Sequence, residues 1–169
     1  MDKQGDGFMI ILIEIIVLCL FFTLGVCVMA KDPIKTLYNY PPKIQERVKS
    51  LKEYKGKIPT TKNMITTKLL ASIIILIIVS LILRYINNCD SFLEAFLTGF
   101  IIWTSVNLYD CVVMDIIWFC HDKRFVFKGT EDMVKEYHNY WFHIKGSLIG
   151  EVIGTVVCLI SSLIVAFIL

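Results

Sequence analysis

Five acidic residues lie within or at the ends of long apolar stretches of the chain. They are Glu14, Glu94, Asp110, Asp115 and Glu151. A carboxylate near the centre of a membrane-spanning helix costs about 2.5–3.5 kcal/mol, so it needs a partner, water or a proton. Two carboxylates in one site of low dielectric constant do not both ionise freely. Such a site suits proton handling, cation binding or hydrogen bonding to a polar ligand.

A polar pocket is predicted where the third and fourth apolar stretches meet. With about 100° per residue on an α-helix, Asn107 and Asp110 share a face. If this face packs against the fourth stretch, polar side chains converge in a pocket open toward the cytoplasm. The predicted ligand-binding members are Asn107, Tyr109, Asp110, Glu151 and Thr155. The alternative is a polar network that only holds the helices together, although such hydrogen bonds contribute well under about 1 kcal/mol each in membranes.

Asp115 is expected outside this pocket. It lies about 140° from Asp110 around an α-helix, so the two carboxylates should not reach one narrow contact. They are therefore a poor match for a catalytic pair. Asp115 is predicted instead to cap the helix or to pair with a basic residue at the membrane boundary. The basic candidates are Lys123, Arg124 and Lys145.

Small residues recur at every fourth position of the last apolar stretch. They are Gly146, Gly150, Gly154, Cys158, Ser162 and Ala166. A ridge of this kind lets another helix approach closely. The three glycines are therefore predicted to serve helix packing, either within the chain or in a homo-oligomer.

The elements that position these residues are four apolar stretches, at about 8–30, 69–86, 92–120 and 146–169. A helix needs about 20 apolar residues to cross a bilayer. Hydrophobic residues make up 56% of the 169 residues and charged residues only 19%. The predicted fold is therefore all-α: one membrane domain, residues 1–169, built as a polytopic transmembrane four-helix bundle.

The basic residues predict the orientation. Ten Lys and Arg residues fall in the loop 31–68 and five in the loop 121–145, against only Lys3 and Arg84 elsewhere. An excess of basic residues marks the cytoplasmic side. Both loops are therefore predicted to be cytoplasmic, with the N-terminus and C-terminus outside. Because topology explains the basic residues, no nucleic-acid partner is indicated.

The first loop contains a short amphipathic helix that begins at Pro41–Pro42 and ends before Gly56. Ile44, Val48 and Leu51 fall on one face, with basic residues around them. This face could lie on anionic lipids at the cytoplasmic surface. It could equally pack on the cytoplasmic ends of the protein itself.

The second loop is predicted to begin a helix at Gly129–Thr130 that runs directly into the fourth span. Tyr137, Tyr140, Trp141 and Phe142 on this helix read as the aromatic belt of a membrane interface.

Signals for catalysis, metals and cofactors are sparse. The chain contains no G-x-S-x-G, P-loop or H-E-x-x-H motif. The spacing of Cys120, His121, His138 and His143 matches no zinc signature, and these histidines are expected to be interfacial residues without partners. The six cysteines show no C-x-x-C pattern and are expected to be packing residues. No catalytic residue, metal or cofactor is predicted.

Three stretches carry a resemblance to a family of small four-span integral membrane proteins of bacteria, many of them Firmicutes. They are YPPKIQERVKSL (40–51), NLYDCVVMDIIWFCHDKRFVFKGTEDM (107–133) and EYHNYWFHIKGSLIGEVIG (136–154). The family has no established activity, so the resemblance implies topology and a place in the bacterial cytoplasmic membrane, and no reaction.

Three hypotheses about function follow. The leading one is a small membrane protein whose acidic pocket binds a cation, a proton or a polar lipid headgroup, for transport or sensing. The second is an accessory or scaffold subunit of a larger membrane complex. The third, less favoured, is a lipid-modifying enzyme with Asp110 or a histidine as general base.

Overall fold

Helices form every regular element of the chain that the structure, a computed structural model, describes. It describes residues 3–59 and 61–169, with side chains for 7–59 and 70–169. Helix accounts for 79% of the residues, and no strand occurs among those described. The helices are α1 Lys3–Met29, α2 Pro42–Ser50, α3 Thr61–Tyr85, α4 Phe92–Tyr109, α5 Val134–Tyr137 and α6 Tyr140–Phe167. The predicted all-α class is confirmed.

Among the residues with described side chains, three helical segments are long and apolar enough to cross a membrane: Gly7–Met29, Phe92–Phe119 and Val134–Phe167. Helix α3 has 25 residues, but its apolar part with described side chains, Leu70–Tyr85, is shorter. The prediction of the second stretch as a span rests partly on Leu69, and the orientation partly on Lys3, Lys62 and Lys68. These four side chains lie outside those described.

Helices α4 and α6 form the centre of the helix bundle. Helix α3 packs against both, and α1 packs against α4 and the segment that follows it. Near residues 86–91, at one end of the helices, polar side chains form hydrogen bonds with one another and with the main chain. Asn87 donates to the Glu14 carboxylate at 3.1 Å, and Ser91 and Glu94 form a capping box at the start of α4.

Helix α4 continues as a π-helical segment, Asp110–Phe119, rather than as an α-helix. In a π-helix each amide donates to the carbonyl five residues earlier. The Cys120 amide accordingly donates to the Asp115 carbonyl at 3.0 Å. The expectation that 92–120 is a regular α-helix is therefore wrong over its last third.

The two predicted loops pack together at one end of the helices. Ile44 and Val48 on α2 are completely buried against aromatic side chains of both loops. Proline occupies the first turn of α2, as predicted. The structure thus places this apolar face on the protein itself and leaves the lysines exposed. A partner protein or a membrane could contact this face only if α2 first detached from the rest of the packed loops.

The second loop does not run into the last span as one helix. Gly129–Met133 forms turns, α5 is a single turn, and His138–Asn139 interrupts the helix. The Asn139 side chain accepts a hydrogen bond from the Phe142 amide at 3.1 Å and so caps α6. The predicted start at Thr130 is wrong because this hydroxyl bonds the Phe127 carbonyl instead.

Candidate functional site

The π-helical segment places Asp110 and Asp115 in one cavity. The cavity has a volume of about 460 Å³ and lies between α1, the 3₁₀ turn Pro33–Asn39, the π-helical segment and the first turn of α6. Side chains five positions apart diverge on an α-helix, but they come much closer on a π-helix because its turn is wider. The expectation that the two aspartates point apart is therefore wrong.

Polar groups occupy only part of the cavity lining. They are Thr36, Asn39, Asp110, Asp115 and His143. The opposite wall is apolar and belongs largely to α1, where Leu18, Phe21, Phe22 and Met29 contribute. Phe21 is 67% exposed, so this wall is also part of the outer surface of the helices. The cavity therefore combines an acidic end with an apolar side.

His143 pairs with Asp115. Its Nδ1 atom lies 3.1 Å from Oδ2 of Asp115, and the ring is 4% exposed and packed between Phe119 and Phe142. A carboxylate partner at Nδ1 places a proton on that nitrogen, which leaves Nε2 as an acceptor in the neutral ring. Nε2 is buried and has no hydrogen-bond partner among the residues whose side chains the structure describes. The predictions that Asp115 pairs with Lys or Arg and that His143 lacks a partner are both wrong.

Two of the three basic residues proposed as partners of Asp115 have other contacts. Arg124 forms an ion pair with Asp122 at 2.5 Å, and Lys145 lies over the Trp141 ring at 5.4 Å.

Glu151 belongs to a second polar contact, between α4 and α6. Its carboxylate accepts hydrogen bonds from Thr104 at 2.5 Å and from Asn107 at 2.8 Å. Asn107 also donates to the Ser147 carbonyl at 3.1 Å. Thr155 donates to the main-chain carbonyl of Glu151 at 2.8 Å. This contact has the character of the structural network considered as an alternative.

Tyr109 lies in a third place. Its hydroxyl is 2.7 Å from that of Thr23, which also donates to the Cys19 carbonyl and so links α1 to α4. The five residues predicted to share a pocket are thus divided. Asn107, Glu151 and Thr155 lie together, Tyr109 contacts α1, and Asp110 alone lines the cavity.

The glycine ridge is used inside the chain. A Cβ added to Gly154 would lie 1.9 Å from the Trp103 ring, and one at Gly150 would lie 3.3 Å from Asn107. Gly146 faces open space. Gly150 and Gly154 thus lie close to α4 side chains, whereas Gly146 does not, and the predicted packing role of the glycines stays a prediction. A homo-oligomer would have to use another surface.

One sequence signal could have identified His143. It lies seven positions before Gly150 and eleven before Gly154. Those spacings put all three on one face of an α-helix, the face that packs on α4. No comparable signal marks Asp115, because the π-helix that turns it inward is not visible in the pattern of apolar residues.

Among the residues with described side chains, no three His, Cys, Asp or Glu side chains are grouped closely enough to hold a metal ion. Comparisons with protein-family models, curated proteins and solved structures found no match to this chain. The resemblance to small four-span bacterial proteins therefore stays a prediction.

Proposed function

We propose that the chain is a multi-pass integral membrane protein that crosses the bilayer four times. Support comes from the apolar side chains that remain exposed along α1, such as Phe8 at 66% and Leu24 at 62%. Soluble proteins rarely expose apolar surface on this scale. The two basic loops pack together at one end, which fits a cytoplasmic face there. The bacterial cytoplasmic membrane and the outward termini belong to this proposal.

The proposed role of the cavity is to bind a polar lipid headgroup or a cation that carries hydrogen-bond donors. One observation carries it: Asp110 and the Asp115–His143 pair line a single open cavity whose other wall is apolar and exposed. The two carboxylates offer oxygen acceptors to a cation or to the hydrogen-bond donors of a ligand. An amphiphile with a cationic or hydroxyl-rich head matches both walls.

Native mass spectrometry of protein released gently from its own membrane tests this role. Wild type is compared with Asp110→Asn and Asp115→Asn, and Glu151→Gln is the matched control because it removes a carboxylate outside the cavity. We expect a retained species on wild type and control that both aspartate variants lose. Retention by all four proteins, or by none, would contradict the proposal. A co-purifying protein would favour the scaffold hypothesis instead.

A second candidate, a lipid-modifying enzyme, is favoured by the same pair. A histidine oriented by a carboxylate is a common general base. Turnover of native lipid extracts by purified wild type, abolished in His143→Asn, would support this role. Absence of turnover by folded wild type would exclude it for the lipids tested.

A further inference from the structure

A second cavity lies in the packed loops, and its lining shares no residue with that of the acidic cavity. It has a volume of about 520 Å³ and is lined by residues 120–123 and by six of the residues between 126 and 138. Its ionisable groups are Cys120, Tyr137 and the following six: His121, Asp122, Lys123, Lys128, Glu131 and His138.

The acidic groups of this cavity are already engaged. Asp122 accepts hydrogen bonds from Arg124 and, at 2.7 Å, from the Trp118 indole. The hydrogen bonds from Arg124 hold the pKa of Asp122 well below its usual range. Glu131 accepts from the Gly129 amide at 2.8 Å, and main-chain amides lower its pKa as well. Both carboxylates are therefore ionised, and Arg124 balances the charge of Asp122.

The basic groups of the cavity have free donors. Within the described part of the chain, no hydrogen bond or ion pair engages the ammonium groups of Lys123 and Lys128. The rings of His138 and His121 stack at 4.9 Å. His121 is satisfied, with Nδ1 at 3.0 Å from the Ile116 carbonyl and Nε2 at 3.2 Å from the Tyr140 hydroxyl. Three cationic or protonatable groups are thus left to bind a ligand.

The turn that carries Lys128 is held in place by α2 and the segment after it. The Tyr54 hydroxyl donates to the Lys128 carbonyl at 3.3 Å, and Arg47 donates to the Gly129 carbonyl at 3.3 Å. On the inner side, the Tyr137 hydroxyl accepts from the Phe127 amide at 3.0 Å. The main chain of this turn is therefore preorganised, so little backbone entropy is lost when a ligand binds.

We propose that this cavity binds a phosphate group through Lys123, Lys128 and His138. Charge-assisted hydrogen bonds from several directions suit the oxygens of a phosphate. The group could belong to a lipid headgroup or to a soluble phosphate ester, since the cavity lies in the basic loops at one end of the helices. This proposal is independent of the acidic cavity.

Two binding measurements separate the sources. Glycerol 3-phosphate is titrated into the detergent-solubilised protein by calorimetry, and phosphatidylcholine nanodiscs with or without phosphatidic acid are compared by native mass spectrometry. Binding in the first measurement identifies a soluble ester. Enrichment of phosphatidic acid in the second alone identifies a lipid. If wild type shows neither, the proposal is overturned.

The variants identify the cavity. Lys123→Gln/Lys128→Gln should weaken binding at least roughly tenfold, because two charge-assisted hydrogen bonds are lost. Lys135→Gln/Lys145→Gln is the matched control, since it removes the same charge outside the cavity and should bind like wild type. Equal losses in both would show general attraction to basic loops and overturn the proposal. If the cavity variant unfolds at a lower temperature than wild type, His138→Gln replaces it and must weaken binding.

Discussion

The Nδ1 atom of His143 on α6 lies 3.1 Å from the carboxylate of Asp115 on the π-helical segment, and this pair joins two helices beside the acidic cavity. The histidine is buried, whereas the side chain of Asp115 is 34% exposed. His143 is thus fixed by packing, whereas Asp115 remains within reach of a ligand.

Asp115→Asn should lower the free energy of unfolding by roughly 1–2 kcal/mol, because the hydrogen bond from the buried His143 then has a neutral amide oxygen as acceptor in place of a carboxylate. Thermal unfolding in detergent measures the change. Asp32→Asn removes the carboxylate of an exposed ion pair with Lys35 and should cost much less. Equal effects of the two substitutions would show that the buried pair contributes nothing particular.

Gly154→Ala should destabilise the contact of α4 with α6 by roughly 1–3 kcal/mol, since the new methyl group would overlap the Trp103 ring and force it to move. Gly146→Ala meets open space and should leave stability equal or slightly higher, because alanine favours helix. Unfolding temperatures of the two variants check this. Similar destabilisation at both positions would contradict the intramolecular use of the ridge.

Ile44→Asp should destabilise the packed loops by about 3 kcal/mol or more, because it buries a carboxylate without a partner. Lys49→Asp, on the exposed face of α2, is the control. Limited proteolysis of residues 31–59 reports the result as a faster cut in the first variant. If α2 instead lay on lipid, Ile44→Asp would reduce membrane attachment of this helix but leave the rest of the loops protected.

Asp122 should remain ionised to a lower pH than an ordinary aspartate, whose pKa is about 3.9, because Arg124 lowers its pKa. A depressed pKa in the folded state adds stability above the pKa of the unfolded state, and this stability is lost as the pH falls toward the folded-state value. The Trp118 indole N–H donates a hydrogen bond to Asp122, so the NMR chemical shift of its proton should stay constant down to about pH 4. In Asp122→Asn this signal should already be shifted at neutral pH. A titration of the wild-type signal near the ordinary value would contradict the pairing.

Much of the fold was predictable because the apolar stretches and the proline residues mark where helices lie and begin. The apolar stretches gave the positions of the long helices, Pro41–Pro42 marked the start of α2, and the alternation of apolar and basic residues marked its buried face. What periodicity could not decide was whether α2 packs on lipid or on protein, since both surfaces are apolar.

The site was harder to predict for a related reason. In a helix that faces lipid on one side and protein on the other, apolar residues occur all round, so the pattern does not report how many residues make a turn. The wider turn at Asp110–Phe119 rotated Asp115 toward His143, and the break at Asn139 set the position of His143 itself. Both features depend on contacts between segments distant in the chain.

The π-helical segment also affects how the chain can vary in length. Its hydrogen-bonded turn contains one residue more than an α-helical turn. If one of residues 111–114 were missing, Asp110 and Asp115 would be separated by four positions and would share a face of an ordinary α-helix. The acidic end of the cavity would then persist in a shorter chain. A deletion within α4, in contrast, would rotate Trp103 and Asn107 relative to the π-helical segment. Such a deletion would disrupt either their contacts with α6 or the acidic cavity. Homologous chains one residue shorter in this interval would therefore be expected to keep both aspartates, and alignments should place the gap there.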